Sequence, residues 1–294
     1  MGRVVGKSAT QVVLIGAALA FAATPAVAAE ISPGGASAVF QASSAPVGAD
    51  VSFPQCGGSL PPDQAFGVVG VNDGLAGTRN PCLGEELIWA TDRTTGASSE
   101  PNASLYVNTG DPGNSYDGEP VADWSFSGTG PYGTCLATVE APHLFAAGQD
   151  SLACAWEYGF QKAAQDLVWL QGAAASVGLP TEAGAYPWWL DVETSNSWQS
   201  STQLNVADLE GMVYSLDRAG VLSLGVYAFP PQWGQITGGI TTLAPGSLHP
   251  LSDWLLGAGS LAAAESSCQQ PPFVGGTDRL AQFPSGQFDG DYAC

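Results

Sequence analysis

Basic side chains are scarce in this chain. Seven Lys and Arg stand against 27 Asp and Glu over 294 residues, a net charge of −20. So few cations cannot replace the counterions of a nucleic-acid backbone, so no nucleic-acid partner is expected, and anionic membranes are disfavoured for the same reason. Histidine is as rare, with His143 and His249 alone, and no Gly-x-Ser-x-Gly elbow occurs. A Ser-His-Asp hydrolase therefore has no support. No Cys-x-x-Cys pair occurs either, which removes the usual signature of structural zinc and of thioredoxin-type redox chemistry. Residues 257–262, "GAGSLA", imitate part of a dinucleotide loop, but a lone match is weak. The expectation is no metal and no cofactor. Apolar runs of spanning length are missing too. Residues 12–23 are apolar but too few to cross a bilayer.

What is present begins with that segment. Arg3 and Lys7 precede it, and "AVAA" at 26–29 offers small residues to a signal peptidase. Residues 1–29 read as a cleaved secretory signal, and the mature protein is expected to be extracellular, free of the membrane and monomeric. Its loss leaves five basic against 27 acidic residues, a charge of −22. Residues 30–46, rich in Ala, Ser, Gly and Pro, read as a flexible leader. Six cysteines remain: Cys56, Cys82, Cys135, Cys154, Cys268 and Cys294. In an exported chain an even count predicts disulfides, here three. Pairing in sequence order is expected because it closes three short loops.

Strand-length apolar runs lie at 47–52, 65–71, 103–109, 186–193 and 222–229, with shorter ones at 253–257, 279–283 and 287–292. Such runs suit strands covered on both faces. Helical spacing appears at 84–93, 152–175, 206–219 and 230–237. Asn205 is a candidate cap for the third of these, and Gly220 its stop. The order reads as five strand–helix units followed by three strands with little helix. Alternation predicts a parallel sheet, and eight strands close naturally. The expected fold is one TIM-like (βα)5(β)3 barrel over 47–294. Residues 109–151 are too many for an ordinary loop and read as an insertion stapled by Cys135–Cys154. If the barrel holds, all three bridges are expected at its catalytic rim.

The chemistry starts from "WWLDVET" at 188–194. In a strand, residues two apart share a face. Trp189, Asp191 and Glu193 then point one way, and Leu190 and Val192 the other. With Leu190 and Val192 under helices, the two acids face the barrel axis at the C-terminal strand end, where such barrels carry their catalytic groups. Chance also supplies carboxylate pairs in a chain this acidic. Placement distinguishes this pair, because burying neighbouring carboxylates is costly and a polar loop would accept them freely. Asp50 in strand one, Asp73 after strand two, and Asp289 and Asp291 in the closing strand are expected at the same rim. Singly, each is as well explained as a turn or strand-end residue. Carboxylates on a rim beside aromatics suit glycoside hydrolysis, where one acid stays protonated and another stays charged. Trp198, Tyr227, Trp233 and Trp254 lie near strand ends and could stack on sugars, although aromatics at such positions commonly pack the core.

These segments carry a resemblance. "GADVSFPQC" (48–56) resembles the opening strand of the family 25 glycoside hydrolases, the DxE-type muramidases. "WWLDVET" is similar to their central strand, "LGVYAFPPQW" (224–233) to their fifth and "DWLLG" (253–257) to their sixth. "LAQFPSG" and "FDGDYAC" resemble their terminal strands. A group of secreted actinobacterial barrels that look like this family is similar too. The resemblance implies a five-helix, eight-strand barrel that cuts the β-1,4 bond after N-acetylmuramic acid in peptidoglycan. It implies Glu193 as proton donor, and Asp191 as the stabiliser of positive charge or of a substrate acetamido nucleophile. Asp50 and Asp291 become supporting acids, and Trp189, Asn72, Asp73, Asn108, Tyr227, Trp233 and Trp198 line the substrate site. The chain departs from the family at two strand ends. Asn72 stands in "GVVGVNDGLAG", where a lysine and an acidic-glycine turn are usual. Asn108 stands in "LYVNTGDPG", where an aromatic-histidine motif is usual. The alternative is a barrel that binds a glycan or protein without cutting it, which the acidic surface and the lack of a wall-binding repeat favour.

Overall fold

Alternating burial along short strands organises the chain. The computed structural model describes residues 47–113, 128–135, 138–140, 145–147, 151–243 and 250–294. The expected signal and leader, His143, His249 and much of the 109–151 insertion lie outside these residues. Eight strands form a closed barrel. In chain order its first members are β1 (Val47–Val51), β2 (Gly67–Gly70) and β3 (Ala103–Asn108). The 109–151 region contributes two small two-stranded sheets, β4 (Gly128–Gly130) with β5 (Gly133–Cys135) and β6 (Thr138–Glu140) with β7 (Phe145–Ala147). The barrel resumes with β8 (Trp188–Asp191), β9 (Leu224–Ala228), β10 (Ser252–Leu255), β11 (Asp278–Ser285) and β12 (Phe288–Ala293).

The helices are α1 (Leu83–Asp92), α2 (Leu152–Val177), α3 (Thr202–Arg218), α4 (Pro230–Thr237) and α5 (Leu261–Ser267). Eight strands and five helices match the expected barrel, with the helices placed differently along it. After β1 comes only a 3-10 turn at Phe53–Gln55, and the fifth helix follows the sixth barrel strand instead. Its Ser260 side chain accepts from the Ala263 N–H, a cap inside a short polar stretch. Asn205 is not a cap, because α3 begins three residues earlier at Thr202. It is buried, and its amide bonds the carbonyls of Gln199 and Ile236.

Two apolar layers explain the near-continuous hydrophobic runs. Outward residues Val69, Leu105, Leu190, Val192 and Val226 pack under the helices with Leu87, Leu170, Leu209 and Met212. Inward residues Phe66, Val68, Trp189, Tyr227, Trp254 and Leu280 fill the barrel. Glycine makes room for the largest of these. A Cβ on Gly225 would overlap the Trp189 ring. At the base, Arg279 pairs with Glu100, bonds Ser223 and lies 5.7 Å from the Trp189 ring centroid.

The cysteines pair as expected: Cys56–Cys82, Cys135–Cys154 and Cys268–Cys294. Their placement corrects one expectation. Cys268 caps the C-terminal end of α5, and Cys294 N–H bonds Arg279 O at the start of β11. Strand β12 runs antiparallel to β11 and β1, so it returns the chain to the base, and the third bridge lies there rather than at the rim.

Helices α2 and α3 cross without intervening side chains. A Cβ on Gly211 would overlap the backbone carbonyl of Trp156, and one on Gly159 that of Asp208. Backbone atoms cannot swing aside as side chains do. Gly211→Ala is therefore expected to destabilise the fold by about 3 kcal/mol, the upper range for overpacking, measured by chemical denaturation. A loss under about 0.5 kcal/mol would contradict this crossing.

Candidate active site

The inward face at the C-terminal strand ends is polar. Strand alternation places Asp50 of β1, Asn108 of β3, Asp191 of β8, Tyr227 of β9, Gln282 of β11 and Asp291 of β12 on it. Leu190 and Val192 do pack under the helices while Trp189 faces inward, so Asp191 follows Trp189 onto the barrel face. Glu193 lies two residues past Asp191, half-buried just beyond the strand.

Each acid has a defined neighbour. Asn108 Nδ2 donates to Asp191 Oδ2 at 2.7 Å, and Asp191 Oδ1 is buried with no donor among the described residues. Gln282 Nε2 donates to Asp50 Oδ2 at 2.9 Å, while Gln282 Oε1 accepts from Tyr227 OH at 2.8 Å. Trp254 Nε1 donates to Asp291 Oδ1 at 2.9 Å. Asp289 is opposite Asp50 in the register and exposed at the lip, whereas Asp291 is fully buried. The buried acid of the closing strand is thus Asp291.

Burial and mutual repulsion hold these carboxyls protonated to unusually high pH. Burial first, then the charge of Glu193, raises Asp191 well above the ordinary carboxylate range, against the opposing Asn108 bond. Burial raises Glu193 as well. Asp50 is pushed up to about 7 by burial and by Asp289, with the Gln282 bond opposing. Burial and then Asp50 push Asp291 well up, with the Trp254 bond opposing. The Tyr227 phenol is raised by burial and then by Asp191, Asp50, Glu193 and Asp291. The arrangement can donate a proton near neutral pH and can stabilise a developing cation.

Residues 183–260 match the family model of Lysozyme-like protein 1. That span runs from the approach to β8 past β10 and contains Asp191 and Glu193. No curated protein matches the chain. Among solved structures, a muramidase from Acremonium alcalophilum is 14% identical, over 84% of this chain and 93% of its own, with a TM-score of 0.47. A muramidase from Trichobolus zukalii is 14% identical over the same shares, with a TM-score of 0.45. The autolysin LytC from Streptococcus pneumoniae is 13% identical over 84% of this chain and 46% of its own, with a TM-score of 0.46. Likeness at this level carries no argument about activity.

The other expected site residues divide sharply. Asn108 and Tyr227 stand among the acids. Trp198 is half-buried above them, and its Nε1 donates to Glu193 O at 2.8 Å. Three do not reach solvent. Trp189 is 1% exposed and packs edge-on against Trp254 in the barrel core. Trp233 is 2% exposed on α4, bonded to Ile240 O under the helical layer. Asn72 is 1% exposed, beneath β3. None of these three can touch a substrate. Asp73 is exposed in a turn closed by Thr78. Gln282 was missed, although a polar residue two past the inward Leu280 was the available signal. A cleft of about 830 Å³ lies against the loop after β8, lined by Thr194, Ser197, Trp198, Gln199 and Gln235, among others, and none of the four acids lines it.

Asp50, Glu86 and Asp253 each titrate near 7 in the fold, from ordinary values of 3.8, 4.5 and 3.8. Below these ordinary values both folded and unfolded chains are protonated, and stability is full. As pH rises, the unfolded chain releases its protons first, so stability falls until the folded groups also ionise. The melting temperature is expected to be highest near pH ~4 and to fall towards pH ~7. Asp291→Asn should flatten that decline, and a rising or level profile in the wild type would contradict the burial of these acids.

Proposed function

We propose that this protein is a secreted glycoside hydrolase that cleaves β-1,4 bonds of peptidoglycan-type glycans by carboxylate acid catalysis. The observation that supports it most is the gathering of Asp50, Asp191 and Asp291 on the inward face at the C-terminal end of the barrel, with Glu193 just beyond the same strand end as Asp191. The match of residues 183–260 to Lysozyme-like protein 1 supports it independently of that geometry. For its location, the support is the sequence of residues 1–29, and among the described residues no helix is long and apolar enough to cross a membrane.

In this reading Glu193 is the proton donor. Burial raises its pKa and so favours the protonated form, and it is half-buried just beyond the end of β8. The C1–O bond breaks as the proton moves from Glu193 to the leaving oxygen. Positive charge develops at the anomeric carbon next to Asp191, whose Oδ1 has no donor among the described residues. With the one proton of the pair on Glu193, Asp191 is ionised, and its stabilisation of that charge grows towards the transition state. Water then adds at C1 and returns a proton to Glu193. Asp50 and Asp291 act behind this pair as supporting acids. The cleft against the loop after β8 is lined by hydroxyls and amides with the Trp198 ring, a surface suited to an uncharged sugar chain.

The competing reading is a barrel that holds a glycan without cutting it. The charge of −22 on residues 30–294 favours it, since this disfavours approach to polyanionic walls. Reducing-end release from peptidoglycan and from chitin-type polymers separates the two. Glu193→Gln is expected to lower the rate by ~10²–10⁴-fold, the usual share of a general acid, with glycan binding retained. Equal traces from wild type and variant, with binding intact, would leave only the binding barrel.

A further inference from the structure

The Asp191 carboxylate is reached by a chain of hydrogen bonds that starts outside the barrel. Asp166, on the middle of α2, is fully buried, and its Oδ1 accepts from Asn72 Nδ2 at 2.9 Å. The same amide group donates to Ala76 O at 3.3 Å, so both donors of Asn72 are engaged. This fixes which end of the Asn72 amide is oxygen, and that oxygen accepts the Asn108 backbone N–H at 2.8 Å. Asn108 is the last residue of β3, and its own Nδ2 donates to Asp191 Oδ2 at 2.7 Å. The backbone bond to Asn72 thus anchors Asn108 at the strand end from which its side chain reaches Asp191.

We infer that Asp166 and Asn72 are positioning residues for Asp191, holding Asn108 so that its amide donates to Asp191 Oδ2. The inference rests on Asp191 being a site acid. The groups that also face Asp191 are Glu193 past β8, Asp50 of β1, Tyr227 of β9 and Tyr106 of β3. None of these is part of the relay, so their influence stays constant when it is cut.

The test reads Asp191 directly, by carbon-13 NMR titration of side-chain-labelled aspartate, with its signal assigned by loss in Asp191→Asn. Asp166→Leu removes the acceptor for Asn72 and also a negative charge. Loss of the charge alone would move the Asp191 midpoint to lower pH. Loss of the relay weakens the Asn108 bond to the carboxylate, and the expected shift is about half a pH unit or more to higher pH. Asp166→Asn keeps an acceptor for Asn72 and should leave the midpoint near that of the wild type or slightly lower. Asn72→Leu, which spares the other contacts of Asp166, should repeat the upward shift and decides the matter where Asp166→Leu does not fold. In glycan cleavage the relay variants should lose on the order of tenfold in kcat with KM little changed, the scale of lost positioning partners elsewhere. A lowered melting temperature with an unmoved or downward midpoint in both leucine variants overturns the relay. If the midpoint rises while no form of the protein cleaves glycan, the relay stands and the hydrolase reading falls.

Discussion

Everything at the site depends on the closure of the sheet by β12 against β1. The seven other barrel strands run parallel, and β12 alone runs against them, paired with β11 on one side and β1 on the other. Closure leaves no edge to template aggregation. It also sets the register that puts Asp289 across from Asp50 and Asp291 across from Gly48. A side chain at position 48 would overlap the Phe66 ring, so glycine there lets the barrel fill beneath the acids. The closing strand thus supplies both the seal and the buried carboxyl of Asp291, whose pKa Asp50 helps to raise.

The donors that reach these acids, among the described residues, are neutral: the amides of Asn108 and Gln282 and the indole of Trp254. A cation in their place would pull the carboxyls down by one to three pKa units. Amides and an indole satisfy the oxygens while leaving burial and repulsion dominant, and so the acids hold their protons. The cation of the barrel interior, Arg279, is at the opposite end, neutralised by Glu100. The separation gives one chain two different interiors: an ionic base and a rim whose acids are pushed towards their protonated forms.

Strand periodicity carried most of what the sequence could reveal. Leu190 and Val192 against Trp189 set the direction of Asp191 correctly, because a period of two has only two outcomes and one face was plainly apolar. The disulfide partners followed from short loop closure. What was hidden depends on contacts remote in sequence. Asn72 meets Asp166 across 94 residues, and Asn108 meets Asp191 across 83, and neither pairing leaves a local pattern. Trp233 looked like a rim aromatic from its place after β9, but the short α4 turns it inward under the helical layer. The missing helix after β1 and the added one after β10 were obscured by length, since a three-residue turn and a seven-residue helix carry little periodicity.

The rim is held from outside as firmly as from within. The loop after β8 is tied at successive points: Asn196 to Asp191 O, Trp198 to Glu193 O, and Gln199 to Asp111. Asn205 on α3 then bonds Gln199 and Ile236, joining that loop to α4. Helix α3 in turn lies against α2 at the glycine crossing of Gly159 and Gly211, and α2 carries Asp166. Asp191 is therefore reached along two routes that meet at the same helix pair, one through the loop and one through Asn72 and Asn108. Preorganisation of this kind places a carboxylate to within fractions of an ångström only when its supports are themselves immobile. The close crossing supplies that immobility, because backbone packed directly on backbone has no side-chain rotamer left to relax.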